Sequence, residues 1–228
     1  MLTKTLYFLI KIGKKEHIEL LRDNGLLYLN TIQYFKDIEE QHRGDKNECL
    51  SGIEQFDWMK IIIGEKEFHL QKASPIKGLN NTQIRFNDPD LKGNIYSMIA
   101  VSSDTDANNL AGNCQNKSLG DTFLVITNVV AFFNRIGKQL NDMGYKYKFE
   151  FVTYYDPSTH HGELSVFHKE ISYKHQSEFR IFVENASNEP LSLNIGSIAD
   201  ISVLLPIDQF GEICMLPSSK NHKVDFSS

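Results

Sequence analysis

"SYKHQSEFRIFVEN", Ser172–Asn185, is the stretch on which the reading of this chain turns. It reads as a β-strand: Phe179, Ile181 and Val183 occupy alternate positions, with Gln176, Glu178 and Arg180 between and before them. Residues two apart on a strand share a face, so Gln176, Glu178, Arg180 and Phe182 project together while the apolar set turns to the core. The polar row has two readings. It is the solvated outer face of a sheet, on which Glu178 and Arg180 are simple neighbours, or it lines a cleft in which Glu178 is a catalytic carboxylate and Gln176 orients a substrate hydroxyl. In either case the spacing predicts an inner strand whose Phe179, Ile181 and Val183 pack on an amphipathic helix or a second sheet.

Outward from this stretch the last third is strand-rich. "YKFEFVTYYD", "GELSVFHKEISY" and "ISVLLPI" are separated by Pro, Gly and Asn turns. Before them, Val129, Phe132, Phe133, Ile136 and Leu140 recur at helical spacing and predict an amphipathic helix. The N-terminal part reads as a strand over Leu6–Ile12, a helix closed by Gly25, and a second strand in "LLYLNTIQYF" that enters a turn or short helix. "KDIEEQHRGDKNECLSG" reads as a long polar loop, and two β-prone runs around Gly64-Glu65 as a hairpin. "IYSMIAVSS" and "TFLVITN" read as buried strands. Few helices among many short strands indicate an α+β fold with mixed, mainly antiparallel sheets. We expect a single domain over 1–228, with an excursion from the core at about 56–94.

The bounds narrow the function classes. A net charge of -5 without a lysine-arginine block argues against a general binder of the phosphate backbone. Cys49, Cys114 and Cys214 are odd in number and lack CxxC spacing, so reduced thiols are expected rather than a disulfide framework or a structural zinc site. No stretch approaches the ~20 apolar residues of a membrane span, and the short apolar start regains charge at Lys11, as a strand does and a signal peptide does not. The expectation is a cytoplasmic protein without a membrane partner.

A resemblance adds a specific expectation. "YKHQSEFRIFV", preceded by "VFHKEISY" and followed by "LNIGSIADISVLL", resembles the C-terminal signature of an uncharacterised bacterial family, in which a Lys-containing strand leads into a Gln/Glu-x-Glu-aromatic-Arg strand. The opening "LIKIGKKEHIELLRDNGLLYLNTIQYFKDIEEQHRGDKNE" is similar to that family's first elements. More distantly, the order resembles the ADP-ribosyltransferase-like superfamily, which includes bacterial toxins that modify DNA or protein. The resemblance implies a split β-sheet with NAD as substrate in its cleft. It implies Glu178 and Gln176 as the catalytic pair, with Lys11, Tyr28, Thr31, Tyr34, Phe35 and Arg180 around the NAD. Lys11 stands on the first strand where the superfamily carries His or Arg, and His17 falls on the helix that follows.

The chemistry suits a lone carboxylate. Breaking the nicotinamide–ribose bond develops oxocarbenium character, which a held Glu stabilises while bonding a ribose hydroxyl, without a metal. Arg180 either contacts a diphosphate or locks Glu178, and the locking role is favoured. The implied protein is a toxin or antiphage effector that acts on an unknown macromolecule, protein or nucleic acid, with an antitoxin or defence-system partner. One alternative is a non-catalytic binding module of such a system, favoured by Lys11 in place of His or Arg. A second is a metal-dependent nuclease built on Glu178-x-Arg180 with Asp45 or Asp57, in which Arg is a poor substitute for a proton-transferring Lys. "RGDKNE" (Arg43, Asp45, Glu48) reads first as a solvated turn, and His160, His161 and His168 lack regular ligand spacing, so no metal site is expected.

Overall fold

A computed structural model describes residues 4–37, 50–56, 58–71, 82–105 and 114–212. The chain starts with β1 (Leu6–Gly13), α1 (Lys15–Asn24), β2 (Leu26–Thr31) and α2 (Ile32–Asp37). Next come β3 (Leu50–Phe56), β4 (Trp58–Ile63), β5 (Lys66–Gln71), β6 (Thr82–Asn87) and β7 (Gly93–Ser102). The short α3 (Cys114–Lys117), β8 (Thr122–Ile126) and α4 (Val129–Asp142) lead into β9 (Tyr147–Phe151), β10 (Thr153–Tyr155), β11 (Gly162–Glu163) and β12 (His168–Glu170). β13 (Glu178–Glu184), β14 (Leu191–Asn194) and β15 (Ser202–Pro206) are the last strands among the described residues. Helices and largely antiparallel sheets together make an α+β fold.

β7 organises the main sheet. Along one edge it pairs with β13, from Glu178 opposite Ile99 to Glu184 opposite Gly93, and β9 continues the sheet beyond β13. Two strands share its other edge: β1, ending with Ile10 opposite Ile99, and β2, starting with Asn30 opposite Ile95. Between those pairings Tyr96, Ser97 and Met98 face a gap. β8 and β15 extend the sheet beyond β1, and β14 extends it beyond β2. β3 lies between β6 and β11, β4 pairs with β5, and the pair β10–β12 is parallel.

The amphipathic stretches dictate which face is covered. α4 begins where the Asn128 side chain accepts from the Ala131 N–H at 3.0 Å, an N-cap that satisfies one orphan donor. Its Phe132, Ile136 and Leu140 are buried with Leu9, Met98 and Ile181. Phe133 stacks between Phe149 and Phe179. α1 ends at Gly25, whose φ of 66° suits a left-handed cap and whose N–H reaches the Leu21 carbonyl. A Cβ there would stand 1.9 Å from the Gly196 carbonyl oxygen, so the position needs glycine twice over. On the opposite face Phe123 meets Phe210 edge-on within a second cluster.

Two sequence expectations need correction. The strand read over Ser172–Asn185 exists only from Glu178 to Glu184; Ile171–Gln176 is a 3-10 turn, and Ser177, at φ 43°, breaks it from the strand. Gln176 therefore does not share a strand face with Glu178. The polar stretch before Gly52 also contains the start of β3, which runs from Leu50. The Gly64-Glu65 hairpin is present as β4 and β5, and Phe179, Ile181 and Val183 are buried on an inner strand against α4.

Candidate functional site

Glu178 opens β13, and its carboxylate is held from three directions. Arg180, two residues on and therefore on the same face, donates from Nε to Oε1 at 2.6 Å. Ser97, opposite Arg180 on β7, donates its hydroxyl to the same oxygen. Lys169, on β12, donates to Oε2 at 3.0 Å and to Gln176 Oε1 at 2.8 Å. Arg180 Nη1 also donates to the Val166 carbonyl, which fixes the guanidinium against the chain leading to β12. Tyr154 Oη accepts from the Glu178 N–H at 2.8 Å and anchors the start of the strand.

These contacts set the charge states. Burial pushes the Glu178 carboxyl up, but Arg180 first, then Lys169, and the bonds from Arg180 and Ser97 reverse that, so it sits far below the ordinary carboxylate range. Such a group is ionised at any physiological pH and is a poor proton shuttle. It can hold a hydroxyl or stabilise developing positive charge. Burial, then the Glu178 charge, raises the Tyr154 phenol above its usual value, so it remains protonated.

The cluster forms the floor of a cavity of about 770 Å³. Its lining runs from α1 (His17, Leu21) through the gap on β7 at Tyr96–Met98 to Glu178 and Arg180. The cavity therefore occupies the split between β1 and β2. Lys11 reaches into that split, with Nζ donating to the Ser97 carbonyl at 2.7 Å and lying 4.1 Å from the Tyr96 ring centre. Tyr28, Tyr34 and Phe35 line the same cavity from β2 and α2, and the rings of Tyr34 and Phe35 meet edge-on at 5.5 Å. A volume of this order suits a ligand of nucleotide size.

Of the residues read from the sequence, Glu178, Gln176, Lys11, Tyr28, Tyr34, Phe35 and Arg180 all line this one cavity. Thr31 is not among the lining residues: it is buried, and its hydroxyl accepts from the Tyr34 N–H at 3.0 Å, a bond that starts α2. The hydroxyl that meets the Glu178 carboxylate is that of Ser97. Arg180 lines the cavity and is bonded to Glu178. Lys169 and Ser97 were missed as site residues. Lys169 is the lysine of the Lys-containing strand in the resemblance, which gave it no role, and Ser97 is a lone hydroxyl inside an apolar run.

Arg43, Asp45, Glu48 and Asp57 lie outside the described residues. The His160 and His168 rings are 6.4 Å apart, and burial, then His160, holds the His168 imidazole below its ordinary value. Among the described residues no group of three or more His, Cys, Asp or Glu is placed to hold a metal ion, and no helix is long and apolar enough to cross a membrane. No protein-family model, curated protein or solved structure matches the chain.

Proposed function

We propose that the cleft binds NAD as substrate and that the protein is an ADP-ribosyltransferase-like effector, of the toxin or antiphage class, which modifies a macromolecule. The observation that carries this reading is an ionised carboxylate, Glu178, on the floor of a nucleotide-sized cleft whose wall bears the aromatic pair Tyr34–Phe35. The sharing of one edge of β7 by β1 and β2 supports the split sheet that the reading requires. In this mechanism nicotinamide stacks on Tyr34 or Phe35, Gln176 and Glu178 hold ribose hydroxyls, and Glu178 stabilises the oxocarbenium-like transition state. Arg180 and Ser97 keep the carboxylate oriented and charged. Lys11, held by the Ser97 carbonyl, takes the first-strand position beside the NAD.

The test replaces Glu178 by Gln, which keeps shape and removes charge. NAD affinity should stay near that of the wild type while turnover falls by at least ~100-fold, the scale of one preorganised electrostatic group. A thermal melt must accompany the assay, because Arg180 and Lys169 lose their counter-charge in this variant. Absence of NAD binding to the wild type, or equal turnover in a folded Gln variant, rejects the mechanism. A second reading, a non-catalytic nucleotide-binding partner in a defence system, is favoured by the engagement of Glu178 with two cations. Its signature is NAD binding without nicotinamide release.

A further inference from the structure

β2 turns one row of side chains towards the cleft. Leu26, Tyr28 and Asn30 alternate with the buried Leu27, Leu29 and Thr31, and all three line the cavity. Asn30 is half-buried, stands opposite Ile95 at the margin of the gap on β7, and lies just before α2, which bears Tyr34 and Phe35. Asn is disfavoured within strands. Where a strand runs into a helix its usual work is to cap the helix, but here Thr31 does that, its hydroxyl accepting from the Tyr34 N–H at 3.0 Å. Tying the sheet together falls to Asn94, whose amide donates to the Leu29 carbonyl at 3.2 Å and to the Glu189 carbonyl at 3.0 Å. Among the described residues the Asn30 side-chain amide makes no hydrogen bond.

A primary amide on the wall of a cleft presents an acceptor oxygen and two donor hydrogens in one plane. Its complement is a planar group that carries a donor beside an acceptor. A dinucleotide offers two such groups, the carboxamide of nicotinamide and the N6–N7 edge of adenine. Position favours the first. The aromatic pair on which nicotinamide stacks in the proposed reaction follows Asn30 by four and five residues and lines the same cavity.

We propose that Asn30 is a specificity-determining residue that reads the nicotinamide carboxamide: Nδ2 donates to the carboxamide oxygen, and Oδ1 accepts from the carboxamide N–H. This deepens the NAD reading and rests on it. The pair is neutral, so it selects the ring without altering the charge that Glu178 sets against the ribose. A site built to bond an N–H rejects the analogue that lacks it, because the filled cleft then leaves Oδ1 without a partner.

The experiment is calorimetric titration of the wild type and of Asn30→Leu with NAD and two neutral-base analogues. In 3-acetylpyridine adenine dinucleotide a methyl ketone replaces the carboxamide, which keeps the acceptor and removes the donor. In nicotinamide hypoxanthine dinucleotide an oxygen replaces the adenine amine. The wild type should bind NAD about 10-fold more tightly than the acetylpyridine analogue, the scale of one hydrogen bond whose loss strands a partner. Leu matches Asn in size and lacks the amide, so in the variant NAD affinity should fall further than analogue affinity and the preference should disappear. A merely structural role for Asn30 would lower both affinities together. Equal wild-type affinities for NAD and the acetylpyridine analogue overturn the proposal whether or not the variant folds, and so does an undiminished preference in folded Asn30→Leu. A preference against the hypoxanthine analogue that Asn30→Leu removes, with none against the acetylpyridine one, assigns the amide to adenine and overturns it too. Absence of NAD binding sinks the NAD reading and this site together; the acetylpyridine preference without nicotinamide release supports the site and sinks the proposed catalysis alone.

Discussion

At the residue scale, Glu178 ties stability to function through one carboxylate. Its folded-state pKa is depressed below the ordinary 4.5 because Arg180, Lys169 and Ser97 outweigh burial. A depressed carboxyl contributes stability that is complete above its unfolded value and is lost as pH falls from there towards the folded value. Urea denaturation of the wild type and Glu178→Gln should therefore differ by a constant amount from pH 7 down to about pH 5, and the difference should shrink below 4.5. The plateau is expected at about 3–5 kcal/mol, the usual cost of leaving buried partners without their counter-charge. A difference that changes between pH 7 and pH 5 would show that another group controls the cluster. The polar row was legible in the sequence, but its burial was not: the groups that make a buried Glu178 tolerable, Ser97 and Lys169, come from β7 and β12, which local periodicity cannot relate to β13.

At the scale of elements, the informative junction is the passage from the 3-10 turn at Ile171–Gln176 into β13. Ser177 makes that passage in the left-handed region, while its carbonyl accepts from the Ala100 N–H at 2.7 Å. A left-handed L-residue costs roughly 1–2 kcal/mol, which Gly avoids at the expense of about 0.5–1 kcal/mol of chain entropy. Ser177→Gly should therefore leave stability nearly unchanged, whereas the β-branched Ser177→Val should lose about 1–3 kcal/mol in urea titration. Equal stability of the two variants would mean that the turn is not held in this conformation. Nothing local announces the turn, since Ser172–Gln176 is as compatible with an extended strand as with a 3-10 helix. The apolar alternation of Phe179, Ile181 and Val183 and the helical spacing of α4 were legible because each follows from burying one face. The start of β3 was not. Gly52 there reads as a turn residue, yet a Cβ on it would stand 3.1 Å from the Gly162 carbonyl oxygen, so the glycine serves the close approach of β11.

At the scale of the whole molecule, β7 joins the two ends of the chain: β1 and β2 on one edge, β13 on the other, with the cleft in the gap between the first two. That arrangement brings Tyr34 and Glu178 to one cavity across most of the sequence, and the resemblance, which spans both ends, is what made the meeting legible. The hairpin β4–β5 stands apart from this economy. Its two strands pair with each other and with no third strand among the described residues, and Ile62, Ile63 and Phe68 are exposed on it. A two-stranded ribbon that leaves Ile62, Ile63 and Phe68 exposed contributes little to the fold's stability. It also carries the chain's single tryptophan, Trp58, 66% exposed. Tryptophan fluorescence should therefore report the hairpin rather than the core. In the native protein acrylamide should quench Trp58 nearly as readily as in the urea-unfolded chain, and the emission should change little through an unfolding transition that far-ultraviolet circular dichroism records in full. Strong native protection from the quencher, lost in step with the dichroism, would mean that the hairpin's apolar side chains are covered in solution and that the ribbon belongs to the cooperative fold.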